Sequence, residues 1–276
     1  MKTYYLLLLV AMTTSLFAQE SKYEGFFNFT WDDQKGTIIL EIPADKLNQD
    51  FLYVNSLSAG LGSNDIGLDR GQLGDDRIVR FVKIGPRILL IQRNLDYRAV
   101  SDNALERKAV EEAFAQSVIW GFDVIASEDK SVHQIDLTPM LMHDMHGVAR
   151  RLKQRKQGTY KFDKTRSAVW MERTKSFPDN SEFDAMLTFT GEATGEWVRS
   201  VTPTSSAVTV RQHHSFIKLP DNQYKPRVFH PFAGFNSVSY YDYATPIETP
   251  ISKKFIARHR LVKKNPGSTV SEAVEP

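Results

Sequence analysis

The stretch AVTVRQHHSFIKLP, residues Ala207–Pro220, decides the fold because polar and apolar side chains alternate along it. Successive side chains of a β-strand point to opposite faces. The two predicted faces are Val208, Val210, His214 and Phe216 on one side, and Thr209, Arg211, His213 and Ser215 on the other. The pattern predicts a half-buried strand in which His214 faces the core and His213 belongs to a polar strip.

Much of the remaining chain has the same kind of patterning. Phe183, Ala185, Leu187 and Phe189 alternate with polar neighbours, and Trp197–Val201 is predicted to pair back as a strand. Further strands are predicted at Phe26–Trp31, Thr37–Ile42, Asp50–Leu57, Arg77–Lys83, Arg87–Gln92, Phe122–Ala126, Val132–Leu137, Ser167–Lys175 and Ser237–Thr245. The fold expected from this pattern is α+β and mainly β, an antiparallel meander with two or three covering helices.

Three segments have helical signals. A capping box at Asn103 and a stop at Gly121 predict a first helix whose apolar stripe covers the core. Thr138 followed by proline starts a second predicted helix, which ends before Gly158. Apolar residues at helical spacing over Ser252–Lys264 predict a short amphipathic helix.

Composition excludes several classes of function. The chain has 276 residues, enough for a sizeable core, and a net charge of only +2. Such a balance argues against a nucleic acid or a membrane held by bulk electrostatics. The absence of cysteine excludes disulfides, thiol catalysis, cysteine-ligated zinc and a lipoprotein anchor.

The first residues predict an exported protein. Lys2, the apolar run Tyr4–Val10 and the sequence Ser15–Ala18 form a signal peptide over residues 1–18, with cleavage before Gln19. The apolar run is too short to span a membrane, which needs about 20 residues. We therefore expect a periplasmic or extracellular protein, with a β-rich domain over 19–264 and a linker over 265–276.

The polar strip offers the first candidate site. Arg211 and His213 lie about 7 Å apart along the strand, a spacing that suits a carboxylate or a neighbouring segment. His213 and His214 point to opposite faces, so one zinc ion cannot easily bind both. We interpret Arg211 and His213 as a contact with another domain or as plain sheet structure, and assign no catalytic residue.

A glycine-rich loop, Ala59–Asp76, offers the second candidate site. Its Gly60-x-Gly62 follows a predicted strand, but the third glycine and the helix of a dinucleotide fingerprint are missing. Asp69 and Arg70 within this loop are interpreted as a local ion pair or turn, and are kept as possible contacts of another domain.

Two other features carry competing interpretations. His143 and His146 are three residues apart on the predicted second helix, so they are either two metal ligands or two solvated histidines beside Asp144. The aromatic residues of Phe26–Trp31 form either a carbohydrate platform or part of the core. No histidine is followed by glutamate and no GxSxG occurs, so HExxH and serine-hydrolase motifs are absent.

Several strings resemble the N-terminal region of large exported bacterial zinc-dependent metalloproteases. They are GLGSNDIGLDRGQLG, VRFVKIGPRILLIQ, NLDYRA, AFAQSVIWGF, RSAVW, TKSFPDNSEF, WVRSVTPTSSAVTVRQHHSFIKLP, DYATPI and FIARHRL. The resemblance as a whole covers essentially Gly36–Pro276. The resemblance implies an uncharacterised domain that precedes the HExxH zinc-binding domain. It transfers no catalytic residue to this chain. It implies that zinc is bound only by the HExxH domain, which is expected to be missing either because the gene is truncated or because the protein is split into separate chains.

The expected function is therefore that of a non-catalytic N-terminal region that packs on or shields a protease domain, in cis or in trans. A peptide substrate is compatible with that expectation. The alternative is a stand-alone extracytoplasmic peptide- or glycan-binding module, which would use the aromatic side chains of Phe26–Trp31 and Tyr240–Tyr243.

Overall fold

The computed structural model of the chain describes residues 20–125 and 131–274. The predicted signal peptide, the turn at Glu128–Lys130 and the last two residues of the predicted linker lie outside the described residues. The strands are β1 (Glu20–Tyr23), β2 (Asn28–Asp32), β3 (Thr37–Pro43), β4 (Phe51–Ala59), β5 (Leu73–Ile84), β6 (Arg87–Gln92), β7 (Tyr97–Arg98), β8 (Ser117–Ile125), β9 (Val132–Asp136), β10 (Gly158–Val169), β11 (Lys175–Phe177), β12 (Asn180–Ala193), β13 (Ala207–Lys218), β14 (Ser237–Asp242) and β15 (Ser252–Ile256). The α-helices are α1 (Ala104–Ala113), α2 (Thr138–Leu141), α3 (Val148–Gln154) and α4 (Glu196–Val201).

Twelve of these strands form one sheet in the order β1-β2-β3-β9-β8-β6-β5-β4-β13-β12-β10, with β11 paired to β12. Every pairing in it is antiparallel. The strand predicted at Ala207–Pro220 is β13, which lies between β12 and β4. The expected α+β, mainly β fold is confirmed.

The start of the sheet packs against strands near its other end, and core side chains lie between them. The ring of Phe29 in β2 lies 5.2 Å from that of Phe183 in β12. Just before β2, the ring of Phe27 lies 6.2 Å from that of Phe216 in β13, and its N–H donates to Ser181 Oγ at 3.0 Å. These buried rings make Phe26–Trp31 mainly a core segment rather than a carbohydrate platform.

A second sheet contains only β15, β14 and β7, in that order. Its β14–β15 pair is antiparallel and its β14–β7 pair is parallel. The segment Ser252–Lys264, predicted as a helix, instead supplies β15, because its first half pairs with the aromatic strand β14. Helical spacing and strand patterning cannot be separated over so few residues.

The first helix differs from the prediction in length and in role. It ends at Ala113, and the last part of the predicted helix, from Ser117, belongs to β8, where Val118 and its β-branched and aromatic neighbours pair with β6. None of its residues is buried and Leu105 is 76 % exposed, so α1 does not cover the core. The described part of the chain has four α-helices, and the three other than α1 each have buried residues, in agreement with two or three covering helices.

The segment Trp197–Val201, predicted as a strand, lies in α4. The side-chain oxygen of Gln157 accepts a hydrogen bond from the N–H of Val198 at 3.0 Å. First-turn amides of a helix have no partner within the helix, so Gln157 stabilises this start from a distant part of the chain. Among residues 20–125 and 131–274, no helix is long and apolar enough to cross a membrane.

The glycine-rich loop is packed rather than open. Ile66 and Leu68 are fully buried, and the N–H of Leu61 donates to the carbonyl of Leu68 at 2.8 Å. A Cβ at Gly60 would lie 2.1 Å from the carbonyl oxygen of Leu68. Gly60 is therefore required by close backbone approach.

Gly60→Ala is expected to lower the free energy of unfolding by about 3 kcal/mol or more, because the two backbone segments must separate. The matched control is Gly62→Ala in the same loop. Gly62 has a φ of +71° and nothing within 4 Å of the added Cβ. Gly62→Ala should therefore lower the free energy of unfolding only by the cost of placing alanine in the left-handed conformation, about 1 kcal/mol. Urea denaturation measures both, and equal losses would contradict the packing argument.

Candidate functional site

The polar face of β13 holds a histidine between two carboxylates. His213 lies opposite Asp184 in the β12–β13 register. Its Nδ1 is hydrogen-bonded to Asp184 Oδ1 and its Nε2 to Glu182 Oε2, the latter at 2.7 Å. Ser58 donates to the other oxygen of Asp184 at 2.7 Å, and Ser215 donates to Glu182 at 2.5 Å. Asp184 is fully buried.

Electrostatics keep this imidazole protonated. Burial lowers the pKa of His213, but the hydrogen bonds and negative charges of Asp184 and Glu182 outweigh burial and raise that pKa to about 9. Burial also raises the pKa of Glu182, while hydrogen bonds from His213 and Ser215 lower it below its usual value. The cluster is thus a partly buried ion pair with hydrogen bonds on both sides of the imidazole.

This arrangement of hydrogen bonds favours a structural role for His213 over a catalytic role. Both ring nitrogens of His213 donate to carboxylates, so neither is free to act as a general base or a metal ligand. Ser58 and Ser215 donate to carboxylates rather than to the imidazole, so no nucleophile is activated. The contacts of His213 lie within its own sheet, as in the interpretation of this strip as sheet structure, and its contact with another domain stays a prediction.

Arg211 belongs to the same face but not to the ion-pair cluster. Its guanidinium lies over the ring of Trp170, 5.3 Å from the centroid, which is a cation–π arrangement. The indole Nε1 of Trp170 is buried without a hydrogen-bond partner. The structure therefore brings Arg211 and His213 to one face, but each has its own separate neighbours.

The opposite face of β13 carries a buried polar network. His214 Nδ1 lies 2.9 Å from Tyr53 Oη, and its Nε2 accepts from Gln212 Nε2 at 3.0 Å. Gln212 Nε2 also donates to the carbonyl of His143, and Gln212 Oε1 accepts from the N–H of His146 at 2.7 Å. Complete burial, together with the charge of His213, lowers the pKa of His214 to about 3, so this imidazole is neutral.

The second predicted helix is broken at His143 and His146. Gly147 adopts the left-handed conformation, with φ of +76°, and separates α2 from α3. His146 is half-buried and its Nδ1 lies 2.9 Å from Asn55 Oδ1, whereas His143 is exposed beside Trp120. The two histidines are neither a helical ligand pair nor both solvated.

Asp69 and Arg70 do not form an ion pair in the described part of the chain. The carbonyl of Asp69 accepts from the N–H of Gln72 at 3.1 Å, which is the turn interpretation of this segment. Nor do histidine and carboxylate side chains among the described residues form any group of three or more that could hold a metal ion.

The most unusual surface lies after β13. In the described residues, twelve of the twenty exposed large apolar side chains fall between Val228 and Val274, including Phe232 at 93 % and Ile247 at 98 % exposure. Only Asp242 and Ile256 are buried in that range. We call residues 228–274 the C-terminal segment. Exposed apolar side chains in such density are typical of a surface that another molecule covers.

Sequence reasoning missed the partners of His213 and the C-terminal surface. Glu182 and Asp184 are two residues apart on one strand, as are Arg211 and His213 on the other, so spacing alone allowed a cross-strand cluster. The register that brings them together was not predicted. The apolar residues after Pro220 were visible as a pattern, but that pattern does not tell whether they are buried.

Two family models match the chain. The Domain of unknown function DUF5117 matches residues 71–264, and the Domain of unknown function DUF5118 matches residues 14–60. No curated protein and no solved structure matches the chain.

The His213 cluster predicts a pH dependence of stability. The folded-state pKa of His213, about 9, lies above its ordinary value of 6.5. Its stabilisation is therefore complete below about pH 6.5 and is lost as pH rises through 9. The difference in free energy of unfolding between the unmodified chain and His213→Gln should shrink by roughly 1–3 kcal/mol over that window.

Chemical denaturation between pH 6 and 10 tests this dependence. His259→Gln is the control, because His259 is exposed, and it should leave the pH profile unchanged. A gap between the unmodified chain and His213→Gln that stays constant with pH would contradict the ion-paired state of His213.

Gln212→Leu should release the segment between α2 and α3. It leaves the carbonyl of His143 and the N–H of His146 without their partner, at a cost of about 1–3 kcal/mol if they stay buried. Hydrogen exchange should accelerate at residues 143–147. Gln223→Leu is the control, because Gln223 is exposed, and it should change neither the free energy of unfolding nor the exchange rates at residues 143–147. Unaltered hydrogen exchange in Gln212→Leu would refute the anchoring role.

Proposed function

The chain belongs to the family of the Domain of unknown function DUF5117, and we propose that it is the non-catalytic N-terminal region of an exported zinc-dependent metalloprotease. In this proposal it packs on the HExxH protease domain, in cis or in trans, and zinc is bound only by that domain. The single observation that carries the proposal is the C-terminal segment, whose apolar side chains are exposed and which has almost no core of its own.

The interior of the sheet supports a scaffolding role. Its most strongly perturbed histidines, His213 and His214, are both saturated by hydrogen bonds from the same domain. A hydrolytic site needs a base or a metal ligand with a free position. These two histidines lack one, so the proposal places hydrolysis in another domain.

The resemblance of the quoted strings to the N-terminal region of exported metalloproteases supports the identity of the partner. Export and a periplasmic or extracellular location are part of the same proposal. The alternative, a stand-alone glycan- or peptide-binding module, loses its first aromatic group, because Phe26, Phe27 and Phe29 are buried. Its second group, around Tyr240, remains available on the small sheet.

The decisive experiment compares the purified chain alone with the chain co-expressed with an HExxH-type protease domain from the same genome. Alone, it should show no chelator-sensitive peptidase activity. With the protease domain, it should co-purify. Phe232→Asp and Ile247→Asp should each weaken the association at least tenfold, because a charge replaces a side chain that becomes buried.

Leu105→Asp provides the matched control. Leu105 is also exposed, but it lies on α1 outside the C-terminal segment, so its substitution should leave association unchanged. Chelator-sensitive hydrolysis by the chain alone would refute the non-catalytic assignment. Association that ignores both Phe232→Asp and Ile247→Asp would refute the proposed surface.

A further inference from the structure

One face of the small sheet forms an open groove with an apolar floor. Val238 and Tyr240 of β14 and Phe255 of β15 line it, together with Tyr224 and Pro226. The rings of Tyr240 and Phe255 stack with centroids 5.9 Å apart. The cavity measures ~560 Å³, which lies within the size range of small-ligand sites, about 300–1,000 Å³.

Two arginines border this groove, and each is held by an aromatic ring. The guanidinium of Arg98 lies 4.3 Å from the ring centroid of Tyr240, and that of Arg258 lies 5.2 Å from the centroid of Tyr224. Arg98 Nε donates to the carbonyl of Leu95, and Arg258 Nη2 donates to the carbonyl of Lys225. Stacking and these bonds orient both planar groups before any ligand arrives.

Neither guanidinium has a carboxylate partner among the described residues, and no acidic side chain lines the groove. The surrounding sequence reinforces this charge. Residues 222–264 contain eight lysines and arginines and two acidic residues, a local charge of +6 within a chain of +2. Two oriented arginines that line the same cavity as apolar side chains are complementary to a carboxylate attached to an apolar body.

We propose that this groove binds a peptide that presents a carboxylate next to an apolar side chain. The carboxylate pairs with Arg98 and Arg258, and the apolar side chain packs on Tyr240 and Phe255. A fatty acid shares the same chemistry, but an open groove floored by aromatic rings leaves an alkyl chain partly in water. The groove lies largely within the C-terminal segment, so the inference concerns the chain with that surface uncovered, and its test does not depend on the protease assignment.

The test is an NMR titration of the purified chain with N-acetyl-Ser-Leu-Phe ending in a free carboxylate. We expect shifts confined to residues that line the groove. The same peptide with a C-terminal amide should bind at least fivefold more weakly. Arg98→Ala and Arg258→Ala should each weaken binding of the free acid roughly tenfold, since each removes a charge-assisted hydrogen bond.

Arg227→Ala is the matched control, because Arg227 is exposed, lies in the same basic region and does not line the groove. It should leave binding unchanged. Equal binding of acid and amide, or equal losses in Arg227→Ala and Arg98→Ala, would overturn the proposal. Tighter binding of octanoate than of the peptide would overturn the assignment of the occupant. Unchanged melting temperatures verify that the variants are folded.

Discussion

The fold depends on the insertion of β13 between β12 and β4. The strict alternation of this strand sends Phe216 inward, where its ring lies within 6.2 Å of the rings of five other aromatic residues: Phe27, Phe51, Tyr53, Phe81 and Phe183. Those rings come from the start, the middle and the end of the large sheet. A slip of one residue would exchange the two faces and remove all of these contacts together.

The same alternation separates two adjacent histidines into opposite protonation states. His213 lies beside two carboxylates and is charged, whereas His214 is completely buried, is hydrogen-bonded to Tyr53 and Gln212, and is uncharged. Their imidazoles stabilise different layers: His213 joins β12 to β13, and the network of His214 anchors the segment between α2 and α3. A charged group on the inner face would have to be offset by several kcal/mol of favourable interactions, an amount on the order of the whole free energy of unfolding of a domain.

Residue patterns predicted the parts of this structure that depend on local alternation. The central strand, the inward direction of His214 and most strands of the large sheet follow from periodicity in the sequence. The predictions were wrong where a distant part of the chain determines the local structure. Gln157 stabilises α4, the end of the first predicted helix pairs with β6, and Ser252–Ile256 pairs with β14. In the candidate site, Arg211 and His213 were identified, but the carboxylates that neutralise His213 depend on a register that spacing does not specify.

Net charge was the least informative property of the sequence, because opposite charges are segregated along the chain. A total of +2 argues against electrostatic recognition only if charge is evenly spread. Here residues 222–264 carry +6, so the remainder carries −4. Residues 222–264 also carry many of the exposed apolar side chains. Solvation of the chain alone does not require positive charge and apolar side chains to lie in the same segment. A surface that is both basic and apolar is complementary to acidic, partly apolar partners, and it should favour them over neutral ones most strongly at low salt.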